Sequence, residues 1–481
     1  MCAPWAVEEA TGANFGDKRL NDRMAVVLSD LGTRPNVSIP AACKGRSEMH
    51  AAYRFFANKS VTFEKVLEPH VQRTLQRMSG QETALLIQDT TEIDLSRPNS
   101  VVCGVGNLDG VRRGILLHEM QAFTPDGTPL GTVWAHCINR AEPTSDASSR
   151  EKKRRRKFKP IEQKESMRWL SGIRRAREIA AELPQVHCIA IADSEGDIYE
   201  CLAEPSLEAK PGQFDWIVRG CHDRALDDET EKHLRQTLLG TPVVYKKQIQ
   251  VRPRKAKIDN GKRARRKLRG KRKAWVEVRA ATVTLRAPSR KDRKLPPVTV
   301  NAVLVREIDP PAGEEPLEWL LLTSLPIKAK NQVKTIVGYY CKRWGIEVFF
   351  KTLKSGCRVE ERRFEDVERV LPSLAMYLIV AWRTLFICHM SREYPQADCE
   401  LVLEPSEWKA VWTAIHQTKP PRQKPDLKTM IHNIASLGGY VESPKREPGA
   451  KTLWIGLQRM GDLAWAWDTF GPGARNGEGI V

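Results

Sequence analysis

The chain has 481 residues, a length typical of two to four domains. Hydrophobic residues make up 41% of it, which is enough for a sizeable core and excludes an intrinsically disordered protein. Lysine and arginine number 78 against 59 aspartate and glutamate, giving a net charge of +19. This excess predicts a polyanionic partner, with nucleic acid first and an anionic membrane surface second.

Signals for export or membrane insertion are weak. The N-terminus lacks the basic and then apolar pattern of a signal peptide. The longest apolar run, Leu374–Met390, is interrupted by Arg383 and predicts a buried helix rather than a membrane span. The eleven cysteines show no zinc-like spacing, which indicates free thiols in a reducing compartment. We therefore expect a cytoplasmic protein with no membrane partner.

The positive charge is concentrated in two basic arms. Residues 150–159 contain eight basic side chains and one acid, and residues 246–273 contain fifteen and one. The rest of the chain is close to neutral. Runs of this kind are usually solvated loops, and they bind phosphates through counterion release without reading sequence.

The first 65 residues are patterned as helices. Asp17 is placed as the N-cap of a helix, and Gly32 is placed as its stop. The apolar face at helical spacing is formed by Met24, Val27, Leu28 and Leu31. A further short helix is predicted at 51–56.

From residue 66 the pattern becomes mixed. Buried strands are predicted at 84–89 and 186–193, each ending in an aspartate, and a hairpin at 114–136. A helix is predicted at 165–183. Residues 214–326 are β-rich, residues 331–390 are helical, and the remainder is helical and rich in tryptophan.

The two strand-ending acids are Asp89 and Asp193. Acids at the carboxyl ends of neighbouring buried strands are well placed to hold Mg²⁺, which prefers hard oxygen ligands. Each residue taken singly is more often a turn former or a helix cap.

A third carboxylate lies in a patterned segment. Tyr340, Arg343, Glu347 and Lys354 stand at offsets 0, 3, 7 and 14, and Lys351 falls on the same side. On one continuous helix they share a stripe. The stripe indicates either a solvated face with a Glu347–Lys351 pair or a phosphate-gripping helix that carries one metal ligand.

These residues carry a family resemblance. Residues 340–354 fit the Y-(2)-R-(3)-E-(6)-K signature of the Tn5-type transposases of the IS4 group. Residues 87–91 and 191–198 resemble the first and second catalytic-aspartate motifs of that group. Further similar blocks occur, in family order, at 16–23, 52–55, 319–324 and 437–440.

The resemblance implies an α/β fold with an RNase H-like catalytic core. It implies an N-terminal helical domain for binding DNA ends at 1–65 and a catalytic domain at 66–365. That domain would hold a β-rich insertion at about 214–326. A helical dimerisation domain would follow at 366–481.

The resemblance also implies a cut-and-paste DNA transposase. Asp89, Asp193 and Glu347 match the family's catalytic DDE triad, which holds two Mg²⁺ ions, with Mn²⁺ as a substitute. Water nicks the element's end, and the 3′-OH forms a hairpin with the opposite strand. After the hairpin opens, the 3′-OH attacks target DNA.

The family's DNA contacts map onto this chain residue by residue. The candidates that grip phosphate or stack on a flipped base are Tyr340, Arg343, Lys354, Lys351 and Trp319, and those for end binding are Arg19, Arg23 and Arg54. The implied partners are terminal inverted repeats, target DNA and a second copy of the chain assembled on DNA. The implied location is the bacterial cytoplasm, at the nucleoid when bound to DNA.

Two other functions stay open on the sequence. One is an inactive DNA-binding relative that acts as an inhibitor, and the other is an RNase H-like nuclease without transposition.

The family pattern is broken at Gly345, where a basic or larger residue is usual. Glycine at this position costs up to about 1 kcal/mol of helix propensity.

Overall fold

The computed structural model describes most of the chain. The described residues are 2–43, 45–140, 159–207, 211–228, 233–251, 253, 257–259, 262–266, 270–290, 294–314, 316–442 and 447–472. Of the first basic arm only Lys159 is described, so that prediction lies outside the described residues; the second arm is described in part.

The helices and strands follow the predicted order. The helices are α1 Pro4–Ala10, α2 Lys18–Thr33, α3 Ile39–Ala42, α4 Arg46–Ala57, α5 Phe63–Ser79, α6 Met167–Glu182, α7 Tyr199–Leu207, α8 Leu234–Leu239, α9 Lys330–Lys342, α10 Trp344–Lys351, α11 Val367–Glu393, α12 Pro405–His416, α13 Leu427–Leu437 and α14 Ala450–Phe470. The strands are β1 Thr83–Asp94, β2 Gly106–Asn107, β3 Arg113–Phe123, β4 Pro129–Ile138, β5 His187–Ala192, β6 Gln213–Gly220, β7 Val243–Val251, β8 Lys257–Asp259, β9 Lys262–Arg266, β10 Arg272–Leu285, β11 Val298–Glu307 and β12 Glu318–Thr323.

The chain divides into two compact units. The first comprises Met1–Ala84, Asp89–Thr144 and Trp344–Val481, and the second comprises Leu85–Gln88 and Ser145–Arg343. Strand β1 contributes residues to both units.

The first unit is built around α11. By length and composition alone this helix could cross a membrane, but 78% of its most apolar window is buried inside the structure. The prediction of a buried helix over Leu374–Met390 is thereby confirmed. Strands β3 and β4 form the predicted antiparallel hairpin, and β2 pairs with β3. Helices α12, α13 and α14 close a C-terminal cluster that includes Trp408, Met430 and Leu453.

The second unit is a mixed sheet with helices, as an α/β fold requires. Strands β5 and β6 are parallel, and β12, β11, β10 and β7 follow β6 in antiparallel order. Helix α6 packs on β5 and β6. The predicted β-rich stretch is confirmed, with the short helix α8 added to it.

Two local predictions are wrong. Strand β1 does not end at Asp89 but continues to Asp94, because residues 90–94 include two threonines and an isoleucine that favour strand. Gly32 lies inside α2 rather than stopping it. A Cβ at Gly32 would stand 2.3 Å from the Trp5 ring, so the glycine permits close packing. Asp17 does cap α2, accepting a hydrogen bond from the Arg19 amide at 2.9 Å.

A buried polar cluster joins β3 and β4 to α5 in the first unit. The Glu119 carboxylate is fully buried and accepts hydrogen bonds from Thr132 Oγ1 at 2.7 Å and Gln121 Nε2 at 2.8 Å. The Thr132 amide donates to His70 Nε2 at 3.1 Å. Burial raises the pKa of Glu119 to about 8, because its two hydrogen bonds only partly offset the lost hydration.

Glu119→Gln is expected to change how stability depends on pH. Between about pH 5 and 8 folded Glu119 keeps a proton that the unfolded chain releases, so the wild type loses stability as pH rises. Glutamine mimics the protonated acid and does not titrate. Urea unfolding should therefore show that the free energy of unfolding of the variant, relative to that of the wild type, rises by roughly 2–4 kcal/mol between pH 5 and pH 8.5. If the two proteins differed in free energy of unfolding by the same amount at both pH values, the raised pKa of Glu119 would be contradicted.

Candidate active site and DNA-contact residues

Asp89 lies half-buried on β1 in the first unit. Its Oδ1 accepts a hydrogen bond from the Thr90 amide at 2.7 Å. The Thr90 hydroxyl in turn contacts Nδ1 of the buried His118 at 2.8 Å, and the His118 ring packs edge-on against Trp134. The backbone next to the carboxylate is therefore held by neighbouring side chains.

Glu347 lies half-buried on α10, also in the first unit. The turn after α10 contains Lys354, whose Nζ is 3.3 Å from Glu360 Oε1. The same Glu360 oxygen accepts a hydrogen bond from the Asp94 amide at 3.0 Å. The segment that follows Glu347 is thus linked to the strand that carries Asp89.

The signature segment is not one uninterrupted α-helix, so the prediction of a single stripe is wrong. Helix α9 ends at Lys342, and α10 begins at Trp344. A π-helical turn, Thr352–Gly356, follows α10 and carries Lys354. A π-helical turn is wider than an α-helical turn and changes the angle between successive residues. The regular spacing of about 100° per residue that would place Lys354 on the same face as Glu347 therefore does not hold here.

Gly345 has a packing explanation that the sequence did not reveal. A Cβ at this position would lie 2.9 Å from the ring of Phe123 at the end of β3. Glycine therefore allows the start of α10 to approach the hairpin closely, two residues before Glu347.

Gly345→Ala is expected to destabilise the first unit by about 1–3 kcal/mol through overpacking, despite the better helix propensity of alanine. The double variant Gly345→Ala with Phe123→Leu should recover part of this loss. Urea unfolding of both variants measures the effect. A single variant more stable than wild type would show that the Phe123 contact does not constrain this position.

In the second unit, Asp193 directly follows β5, as predicted. It is half-buried and caps a short 3-10 turn, accepting a hydrogen bond from the Glu195 amide at 2.8 Å. The hydrogen bond from the Glu195 amide occupies one of the roughly four acceptor positions of the Asp193 carboxylate.

The second unit also contains a group of side chains centred on Tyr340. Tyr340 is only 4% exposed, and its ring meets the edge of Trp319 at 5.6 Å between centroids. The Arg343 guanidinium lies 5.9 Å from the Tyr340 ring centre. Burial raises the pKa of Tyr340, the positive charges of Arg343 and Arg219 oppose that rise, and the negative charge of Asp193 adds to it. Trp319 and Arg343 are therefore grouped around Tyr340, and the charges of Asp193 and Arg219 act on the Tyr340 hydroxyl.

The remaining predicted contacts lie on separate surface elements of the first unit. Arg19 is exposed on α2 and pairs with Asp17 at 2.9 Å, a surface ion pair that phosphate can replace at little cost. Arg23 is half-buried on α2, whereas Arg54 on α4 and Lys351 on α10 are exposed.

Sequence reasoning missed several residues. Arg219 is the penultimate residue of β6, and only its strand pairing brings it near Tyr340. Trp344 follows Arg343 within the signature and is 54% exposed. Asp197, inside the second aspartate motif, is buried, pairs with Arg224, and accepts the amides of Cys221 and His222 at 2.8 and 2.9 Å.

Asp197, Cys221 and His222 could also form a metal cluster, since their ligand atoms lie within 4.8 Å of one another. The Asp197 carboxylate is already engaged by Arg224 and the two amides. It anchors the loop that follows β6 rather than offering a metal site. Asp89, Asp193 and Glu347, the residues to which the sequence motifs point, carry only carboxylate oxygens, the donor type that hard divalent cations prefer.

Comparisons with known proteins match three parts of the chain. Family models match for a transposase DNA-binding domain over residues 2–61, a transposase DDE domain over 213–382 and a Tn5 transposase dimerisation domain over 379–466. A solved piggyBac transposase synaptic complex with hairpin DNA is similar at 8% identity and a TM-score of 0.37. The match covers 98% of this chain and 79% of that chain. That likeness is too distant to add weight to the three family models.

Proposed function

The chain belongs to the Tn5-type DDE transposases of the IS4 group, and on that premise we propose that it moves a DNA element by a cut-and-paste route. As a member it is a metal-dependent enzyme that cleaves and joins DNA, with an RNase H-like α/β core. The proposed route is hydrolytic nicking of each terminal inverted repeat, hairpin formation, hairpin opening and transfer of the 3′-OH to target DNA.

We propose Asp89, Asp193 and Glu347 as the carboxylates that hold the divalent metal. Their hard oxygen donors suit Mg²⁺, with Mn²⁺ as a substitute and two ions per site. When bound, the metal activates the attacking oxygen and neutralises charge that develops on the phosphate. The Thr90 and Glu195 amides keep Asp89 and Asp193 oriented without neutralising them.

The DNA contacts at the cleaved end are assigned to the cluster around Tyr340. The Arg343 guanidinium of this cluster can donate two parallel hydrogen bonds to a phosphate. Lys354, which lies in the first unit beside Glu360, is proposed separately as a phosphate contact that acts as a point charge. Trp319 is proposed to stack on a base flipped out of the duplex, with the buried Tyr340 ring supporting its edge. The single observation that carries this assignment is the grouping of Trp319, Tyr340 and Arg343 with Asp193.

Assembly is proposed to occur on DNA. As a family member the protein binds DNA and forms dimers through matched domains at its two ends. We propose a homodimer that pairs two terminal inverted repeats and then captures target DNA in the bacterial nucleoid. Arg19, Arg23 and Arg54 are the proposed end contacts in a domain of residues 1–65. The catalytic and dimerisation domains are proposed at 66–365 and 366–481.

The hairpin step is tested by Trp319→Ala. Loss of stacking should slow hairpin formation roughly tenfold or more and leave the first nick within about threefold of wild type. Denaturing gels of a linear DNA that carries the gene with its native flanks separate nicked from hairpin products. Trp319→Phe, which keeps a stacking ring, is the matched control. A wild type that nicks but never forms hairpins would overturn the proposed route, and equal loss of both steps would overturn the role of Trp319.

A further inference from the structure

An exposed tryptophan lies on the β-rich part of the second unit, away from any function assigned above. Trp275 on β10 is 53% exposed. Its strand neighbours Ala274, Val276 and Val278 are buried, so alternate residues of β10 face the core. Trp275 belongs to the opposite, outward face.

The pairing of β10 with β7 shows what else this face carries. Trp275 is directly opposite Gln248, Lys273 is opposite Gln250, and Glu277 is opposite Lys246. Side chains opposite each other on paired strands share one face of the sheet. Trp275 is therefore bordered by two lysines and two amides, and Lys246, Gln248, Gln250 and Lys273 are all exposed.

The charge on this face is positive. Glu277 is neutralised by Arg279 at 2.9 Å. Arg272 pairs with both Glu307 and Glu314, so these three side chains together carry a net charge of −1 and offset part of the lysine charge. Among the described residues, neither Lys246 nor Lys273 has an ion-pair partner. In the sequence, residues 252–271, which connect β7 to β10, include eleven basic residues and one acid.

A cleft of about 520 Å³ opens beside the indole. Its charged lining residues are the cations Lys246, Arg272 and Lys273 and the acids Glu307 and Asp309, and the indole of Trp275, Ile308 and Pro311 contribute apolar atoms. The cleft thus combines an aromatic ring and apolar atoms with Lys246 and Lys273, two cations that have no ion-pair partner among the described residues, and these are groups that recognise a base attached to a phosphate backbone.

We propose that this face, formed by Lys246, Gln248, Gln250, Lys273 and Trp275, binds an unpaired DNA strand. The lysines would contact phosphates, the indole would stack on a base, and the amides would hydrogen-bond to base edges. An unpaired strand is favoured over a duplex because stacking on Trp275 needs an exposed base face, which every base offers once it is unpaired. The site is separate from Trp319 and requires DNA binding but no cleavage.

The test measures binding of the full chain to a fluorescent oligothymidylate of about 20 nucleotides by anisotropy, in EDTA. Trp275→Ala should weaken binding roughly tenfold at every salt concentration, while Trp275→Phe should stay close to wild type. The double variant Lys246→Ala with Lys273→Ala should make the fall of log affinity with log salt concentration less steep, by about 1 to 1.5 in the magnitude of the slope. A duplex of equal length should be affected little by Trp275→Ala.

Matched controls are available on the same chain. Lys294 and Lys330 are exposed, so the pair Lys294→Ala with Lys330→Ala should leave oligothymidylate binding unchanged. Equal effects of this pair and of the pair Lys246→Ala with Lys273→Ala would overturn the proposal. So would an equal loss of duplex binding, which would indicate phosphate contacts alone. Because EDTA prevents cleavage, failure here is distinguishable from failure of the proposed reaction.

Discussion

Glu347→Gln is expected to lower DNA cleavage roughly 10³-fold or more while leaving DNA binding unchanged. Glutamine keeps the size of the side chain on α10 but removes the negative charge that a divalent cation requires. Single-turnover cleavage of an end-bearing DNA in Mg²⁺ measures the loss, and a gel-shift assay in EDTA measures binding.

Glu365→Gln serves as the control for this substitution, because Glu365 is an exposed acid in the same unit. Its cleavage rate should match the wild type. If Glu347→Gln cleaved within tenfold of wild type, Glu347 could not be a metal ligand, and the alignment of the signature motif with α10 would be wrong.

The second large effect is expected at Arg362, which holds the first unit together. Its guanidinium is buried and donates hydrogen bonds to the carbonyls of Val37 and Cys357, and to that of Pro35 at 2.6 Å. It also lies 4.5 Å from the ring centre of Tyr377 on α11. One side chain thus joins the connector after α2, the turn after α10 and the central helix.

Arg362→Ala should lower the free energy of unfolding of the first unit by about 3–5 kcal/mol, since it leaves several buried carbonyls without donors. Urea unfolding followed by circular dichroism measures the change. The neighbouring Arg363 is exposed, so Arg363→Ala should change stability by less than about 0.5 kcal/mol. Equal midpoints for the two variants would contradict the anchoring role of Arg362.

Local pattern predicted much of the fold but not its close contacts. The Asp17 cap followed from its side-chain chemistry, the hairpin of β3 and β4 from two apolar runs joined by a turn, and strand β5 and the buried α11 from apolar runs, because each of these signals is local in the sequence. Gly32 and Gly345 were misread because their reason is a ring from elsewhere in the fold, that of Trp5 or Phe123.

In the candidate site, too, local sequence signals predicted some residues, whereas contacts between distant parts of the chain stayed hidden. Motif spacing selected Tyr340 and Arg343, and the family resemblance added Trp319, which contacts Tyr340 in the structure, yet neither signal could reveal Arg219. A lone arginine at a strand end has no sequence signal, since only the pairing of its strand gives it neighbours. The π-helical turn at Lys354 was also hidden, because the spacing was converted to angles for a regular α-helix.

Thiol substitution with a change of metal tests the central claim, that Asp89, Asp193 and Glu347 together hold the catalytic ion. A thiolate is a poor ligand for Mg²⁺ and a better one for the softer Mn²⁺. Each residue changed to Cys should be inactive in Mg²⁺ and regain cleavage in Mn²⁺, whereas each residue changed to Ala should stay inactive in both. Cys and Ala variants that behave alike in Mn²⁺ would contradict metal binding by that residue. A wild type that binds the ends but cleaves in neither metal would instead establish an inactive DNA-binding relative.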